Sequence, residues 1–351
     1  MRSPIGYYVH HHGDGHRQRA LAICNAAPDR FVMIGTGLAG RTGDIACIDL
    51  ADDRANSTGP FDGVDRERNK PHAFHFAPLH REGTRKRAAQ LTGWISEVRP
   101  RLLVVDVSVE IALLARLAST PVVYVRLTGE RNDIPHSEAF RSAVALLSPF
   151  HEDLDDPSCE AWVRAKTRYC AGLTQSGLKS EMPAAGSVLV VQGNGGQVAD
   201  GEQIAQAARS ISWLKWRVIG SVSPPEHTPE NLTLLGWVDN PAIEFRNAGV
   251  VIGAAGDGLV SAVMSAGRPF ICIWQPRPFR EQALKAQRLA ALGAAIALDS
   301  WPTSANWPAV LQAAETIRPQ VQYRLHCERG TASAAQFLSQ LADQGCTCVD
   351  N

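Results

Sequence analysis

The sequence contains no C-x-x-C pair; its eight cysteines lie scattered at Cys24, Cys47, Cys159, Cys170, Cys272, Cys327, Cys346 and Cys348. That spacing argues against zinc modules and a disulfide framework, and buried reduced thiols in a cytoplasmic protein account for it better. Net charge is absent too. The 35 Lys and Arg residues balance 35 Asp and Glu, so no global field points to nucleic acid as a partner. No apolar run approaches the ~20 residues that a membrane-spanning helix needs. The opening residues hold no basic segment followed by an apolar stretch, so no secretory signal is expected. What remains is a chain of 351 residues, 45% hydrophobic and 20% charged, suited to a globular protein of two moderate domains.

Strand-like and helical segments alternate almost throughout, the pattern of parallel α/β construction. In the first half Ile5–Val9, Phe31–Ile34, Leu102–Val107 and Val122–Val125 read as buried strands, with helical stretches near His16–Ala26, Thr84–Val98 and Val109–Leu117. Between them, Asp52–Pro78 is long, polar and rich in Gly, Pro and Arg, as functional loops are. A second start comes at Ser187–Val191, followed by Gly193-Asn194-Gly195-Gly196 and the helical pattern Glu202–Ile211. Further strands are expected at Trp216–Ile219, Val250–Ile252, Phe270–Ile273 and Ala295–Leu298. The expected organisation is therefore two Rossmann-like halves facing each other across a cleft. Residues 1–165 form the first, 166–186 a linker, 187–325 the second, and 326–351 a helix that returns to the first half, with a tail.

The stretch Gly13-Asp14-Gly15-His16-Arg17-Gln18-Arg19-Ala20 follows the first apolar run directly. A strand, a glycine turn and a helix present backbone N–H groups and a helix dipole to an anion. An imidazole at that lip, His16, can take a proton from a hydroxyl or water, although a histidine there could also merely cap the turn. Asp106 ends the run Leu102–Val105, and the C-terminal ends of parallel strands gather on one ligand-binding edge. The two side chains are therefore expected to meet, the carboxylate orienting the imidazole and stabilising its protonated form. The triplet His10-His11-His12 is not read as a metal site, because successive residues of an extended segment point to alternate sides.

A second cradle is Gly253-Ala254-Ala255-Gly256-Asp257-Gly258, between a strand and the helical Leu259–Ala266. It suits a diphosphate, and equally suits tight strand–helix packing. Arg280-Glu281-Gln282 opens a helix after the turn Gln275–Pro278. A carboxylate beside an amide suits hydrogen bonding to sugar hydroxyls. The basic patch Arg81, Arg85, Lys86 and Arg87 reads as a solvated face, or more sharply as a peripheral membrane contact.

These stretches resemble glycosyltransferases of the GT-B fold, in the lineage that includes bacterial MurG and the glycosyltransferase family 28 C-terminal domain. The likeness rests on residues 13–20, the turn at 193–196, Gly236-Trp237-Val238-Asp239 and the span from Gly253 to Gly293. That span contains Ala266-Gly267-Arg268-Pro269, Glu281-Gln282 and Ala291-Leu292-Gly293-Ala294. The resemblance implies an N-terminal acceptor domain and a C-terminal domain gripping a nucleotide-sugar. It implies inverting transfer without a metal or other cofactor, His16 being the general base and Asp106 its partner. The implied donor-binding set is Gly15, Gly193, Asn194, Gly195, Gly196, Trp237, Ala255, Gly256, Asp257, Gly258, Arg277, Glu281 and Gln282, and Arg17 or Arg277 would help to stabilise the leaving diphosphate. The acceptor, a small molecule, a glycan or a lipid-linked group, is left open. One departure is Ala262, which stands where the MurG pattern has a ribose-binding glutamate, so ribose recognition must differ. The pattern of residues 13–19 also resembles the PseG-type nucleotide-sugar hydrolase. A 2-epimerase and a non-catalytic nucleotide-sugar binding subunit are weaker alternatives.

Overall fold

Two wholly parallel sheets, each covered by helices on both faces, make up the chain in a computed structural model that describes residues 3–11, 14–54, 70–173, 186–193 and 200–344. The first sheet holds β1 (Ile5–Val9), β2 (Phe31–Gly35), β3 (Cys47–Asp49), β4 (Leu102–Asp106), β5 (Val122–Val125), β6 (Ala145–Ser148) and β7 (Thr167–Tyr169). Its spatial order is β3-β2-β1-β4-β5-β6-β7. The second holds β8 (Ser187–Val191), β9 (Lys215–Ile219), β10 (Leu232–Gly236), β11 (Val250–Gly253), β12 (Phe270–Ile273) and β13 (Ile296–Leu298), in the order β10-β9-β8-β11-β12-β13. These are two Rossmann-like halves. The central strands are Val-, Ile- and Leu-rich and buried on both faces, as the strands of helix-covered parallel sheets must be.

The strand order reverses direction once in each sheet, between β1 and β4 and between β8 and β11. Connections leave such a switch point on opposite faces, which opens a crevice at the C-terminal ends of the two strands. The helices that border these crevices are α1 (Asp14–Asn25) after β1 and α8 (Asp257–Ala266) after β11. Sequence periodicity finds these central elements and misses the margins. Missed are the three-residue strands β3 and β7, and also β6 and the edge strand β10, whose segments Ala145–Ser148 and Leu232–Gly236 hold no Val or Ile. In particular β7 pairs with β6, so the first sheet extends into the stretch 166–186 expected to be linker.

Two further segments join the halves. Phe150 and Leu154, which precede β7, pack in the core of the second half with Val260 and Met264 of α8 and with Leu325. The final helix α12 (Gly330–Gln344) runs back to the first half. There Ala334, Ala335, Leu338 and Ala342 pack with Ala20, Ile23 and Cys24 of α1. Small residues on both helices let the backbones approach, so the strap is held by apolar contact along α1. Leu338 is fully buried in that seam. Leu338→Ala should therefore cost about 2–5 kcal/mol, the range for emptying a buried leucine site. Urea unfolding of the full chain measures it; a loss well under about 1 kcal/mol would show that α12 is not an integral part of the first core.

Candidate active site

The switch-point geometry sets the end of β4 beside the start of α1, and His16 and Asp106 meet there. The His16 Nδ1 lies 2.8 Å from Asp106 Oδ1. Asp106 is fully buried and the His16 ring is partly exposed. The chain leaves β4 through Val107 at φ 61, a left-handed conformation that a β-branched residue adopts only under strain. Two bonds hold this bend. Tyr124 donates its hydroxyl to the Val107 carbonyl at 2.6 Å, and Ser108 caps helix α3 (Val109–Leu117) by accepting from the Ile111 N–H.

Sequence reasoning missed the residue that ties this site together. Arg19, three positions after His16 on α1, donates through Nε to Asp106 Oδ2 at 3.0 Å and through Nη2 to Oδ1 at 2.8 Å. Its remaining nitrogen, Nη1, reaches Asp257 Oδ2 in the second half at 3.3 Å. Lys285 of α9 (Glu281–Ala291) donates to the other Asp257 oxygen. Lys285 is 1% exposed and Arg19 is buried as well. Helical spacing is the signal that was available. Residues three apart share a face, which pairs Arg19 with His16 and Lys285 with Gln282.

Protonation follows from this network. Burial by itself would push the Asp106 carboxyl upward; the Arg19 guanidinium and the His16 imidazole, with their hydrogen bonds, outweigh it and hold Asp106 well below the usual carboxylate range. Burial acts the same way on Asp257 and is outweighed by Lys285 and Arg19, so this carboxyl also titrates low. Tyr7, whose hydroxyl lies 3.4 Å from Asp106 Oδ2, is driven upward by burial and by that carboxylate. Two groups reach His16 Nδ1: Asp106 Oδ1 at 2.8 Å, which only accepts, and Arg19 Nη2 at 2.9 Å, which only donates. In the tautomer that pairs with the ionised Oδ1, the His16 proton is on Nδ1. Nε2 is left as the basic nitrogen, with no hydrogen bond among the described residues.

The expected donor-binding residues fall in several environments. Asn194, Gly195 and Gly196, like Gly13 of the first glycine turn, lie outside the described residues. Gly193 is exposed past β8. Beside it on β11, Gly253 is a packing glycine, because a Cβ would meet Leu259 Cδ2 at 2.4 Å and the Val191 carbonyl oxygen at 2.9 Å. Gly15, Gly256 and Gly258 are different, since a Cβ on each meets nothing within 4 Å. Ala255 is buried in the second core. Trp237, after the edge strand β10, is 59% exposed and donates its indole N–H to Ser221 Oγ at 3.0 Å. Arg277 bonds Gln275, while Arg17 is spent on Asp14, 2.9 Å away, and on the Arg41 carbonyl.

Glu281 and Gln282 do not turn to the cleft as a pair. Gln282 is buried and accepts from the Gln275 backbone N–H at 3.0 Å, bracing the turn before α9. Glu281 Oε2 accepts from Arg131 Nη2 across the cleft at 3.1 Å. Arg131 also stacks over Phe279, its guanidinium carbon 4.9 Å from the ring centre. Phe279 and Arg280 both have positive φ, 58° and 52°, a tight bend that sets the Phe279 ring edge-on to His136 at 4.7 Å. Opposite it, Gly129 admits the Phe279 carbonyl where a Cβ would stand 2.6 Å from it.

Among the described residues His75, Asp133 and His136 form one group with metal-ligand atoms within 4.8 Å. Their chemistry is already complete as a hydrogen-bond chain. Arg131 Nη1 faces His136 Nε2 at 3.0 Å, so His136 Nδ1 carries the proton given to Asp133 at 2.6 Å. His75 Nε2 donates to the other Asp133 oxygen. Burial, then the Arg131 charge, lower His136 to about 4. The basic patch needs one correction. Arg87 is not on a solvated face; it is buried and donates to the Tyr8 hydroxyl at 2.6 Å and to Asp53. Helix α2 (Glu82–Val98) turns that position inward, toward the end of β1, while Arg85 and Lys86 stay exposed.

No protein-family model and no curated protein sequence matches the chain. Solved structures do match over nearly its whole length. The calicheamicin glycosyltransferase CalG4 is similar at TM-score 0.68 and 16% identity, over 98% of each chain. The glycotransferase of kitacinnamycin follows at 0.66 and 15%, also over 98% of each. MurG of Acinetobacter baumannii aligns at 0.64 and 14%, over 96% of this chain and 100% of that one. The chain thus has the GT-B fold of these glycosyltransferases.

The charge network makes the fold acid-sensitive. Asp106 titrates below its unfolded value of about 3.9, so its ionised form stabilises the fold above that pH and the stabilisation fades as pH falls through the lower native value. Asp106→Asn leaves Arg19 without its main buried partner, a loss of about 3–5 kcal/mol near neutrality. The gap in melting temperature between wild type and variant should shrink from about pH 5 to pH 2. A gap that stays constant over that range would remove Asp106 from the acid response.

Proposed function

We propose that this protein is an inverting glycosyltransferase that moves a sugar from a nucleotide-diphosphate sugar to an acceptor hydroxyl without a metal, with His16 as general base. The observation that carries this reading is the His16–Asp106 pair at the crevice of a GT-B fold. His16 Nε2 takes the proton from the acceptor hydroxyl, and the oxygen attacks the anomeric carbon on the face opposite the diphosphate. The bond from that carbon to the phosphate oxygen breaks, and the nucleoside diphosphate leaves with the electron pair. Asp106 steadies the imidazolium that forms, as the aspartate of a Ser-His-Asp triad does. The open space at Gly256 and Gly258, at the start of α8, suits backbone donation to the diphosphate, because dipoles already aimed at developing charge need no reorganisation. Exposed Trp237 offers a stacking face for the base.

We also propose that the enzyme is cytoplasmic and that its N-terminal half touches a membrane surface. Phe76 and Leu79, 42% and 55% exposed, precede exposed Arg85 and Lys86, the mix of apolar and basic groups that anionic lipid attracts. Co-sedimentation with phosphatidylglycerol vesicles should fall on Phe76→Ser/Leu79→Ser. Equal sedimentation of the variant would exclude this surface as a membrane contact.

The base assignment has a direct test. His16→Ala should slow sugar transfer by about 10²–10⁴-fold, the span for a positioned general base, with donor affinity nearly unchanged. Transfer at a near-normal rate would exclude His16. Sugar release that is equally fast without any acceptor would make the protein a nucleotide-sugar hydrolase instead.

A further inference from the structure

Arg19 and Lys285 come from opposite halves, are both buried, and converge on the two oxygens of Asp257. Lysine is almost never fully buried without a partner, and both cations here are spent on carboxylates. Asp106, Arg19, Asp257 and Lys285 together carry two positive and two negative charges. A diphosphate arriving at the start of α8 would therefore meet no uncommitted cation in this group, and would meet the Asp257 carboxylate at the first turn of the helix. Space is short as well. The cavity that adjoins Asp257 and Lys285 measures about 20 Å³, enough for one water and too small for a phosphate. Its walls include Phe150 and Leu154 from one side and Val260 and Met264 of α8 from the other.

We propose that Arg19 and Lys285 are a cation pair for the donor's diphosphate, and that the Asp257 carboxylate is its built-in substitute, holding the pair and closing the cleft until the donor displaces it. This rests on the donor reading above. It adds an exchange of one anion for another: the phosphate takes the two cations, Asp257 turns away, and the bridge between the halves passes through the ligand. The pair is then in place when the anomeric carbon–oxygen bond breaks and negative charge grows on the departing phosphate. Arg19 would keep two of its donors on Asp106, so the base and the leaving-group site share one guanidinium.

The test is titration calorimetry of the full chain with inorganic pyrophosphate. Asp257→Asn removes the competing charge and should bind pyrophosphate at least tenfold more tightly than wild type, a difference of about 1.4 kcal/mol. Because Asp257→Asn leaves Lys285 buried and unpaired, a condition that can prevent folding, Asp257→Asn/Lys285→Gln is the second variant. It removes one charge of each sign and should bind no more tightly than wild type. Equal or weaker binding by Asp257→Asn overturns the substitution of one anion for another, as does a double variant that binds tenfold more tightly than wild type. No binding by any of the three proteins overturns the diphosphate site as a whole. Sugar transfer by wild type, measured separately, then shows whether the transferase reading has failed with it.

Discussion

The fork of the Arg19 guanidinium is the interaction on which the rest of the site depends. Two of its nitrogens hold both oxygens of a fully buried carboxylate, Asp106, and the third reaches Asp257 in the other half. A lysine could not replace it, since an ammonium is a point charge while the guanidinium offers fixed donors in a plane. A buried ion pair returns little net stability against well-packed apolar residues, because each charge must first lose its water. Its value here is positional. It keeps Asp106 ionised and sets both that carboxylate and the guanidinium Nη2 against His16 Nδ1.

This arrangement differs from an isolated His–Asp pair. With Arg19 on the same carboxylate, part of the negative charge that would stabilise an imidazolium is already neutralised. Both charges orient the His16 ring through the same nitrogen.

The two halves meet through contacts of different kinds. The Arg19–Asp257 bridge lies at the crevice, Arg131–Glu281 and Arg280–Glu130 lie along the bend at Phe279, and Arg288 donates to the Asp153 carbonyl. Apolar packing between the halves includes the Phe150–Leu154 segment, Phe279 against His136 and, through α12, the far side of α1. Charged contacts at a cleft can exchange partners with a ligand or water at small cost, whereas the α12 seam cannot open without exposing apolar surface. The structure therefore concentrates what can yield near the crevice and what cannot yield behind it.

Much of this was legible in the sequence, for a local reason. Apolar runs of β-branched residues, glycine turns and helical spacing are properties of neighbouring residues, and they identified β1, β4, β8, β11 and the helices after β1 and β11. The meeting of His16 with Asp106 followed too, because parallel strands deliver their C-terminal ends to one edge. The strained bends at Val107 and at Phe279–Arg280 left no local mark, since left-handed backbone at non-glycine residues is imposed by surrounding contacts. Gln282 turning inward and Arg87 burying its charge depend on what each helix packs against. Most of all, the convergence of Arg19 with Asp257 joins residues 238 positions apart, through an ion pair that no periodicity encodes. The sequence by itself determined the two halves and the histidine at their edge. Only the tertiary structure decided which charges face each other across the cleft, because that depends on how two separately folded sheets come together.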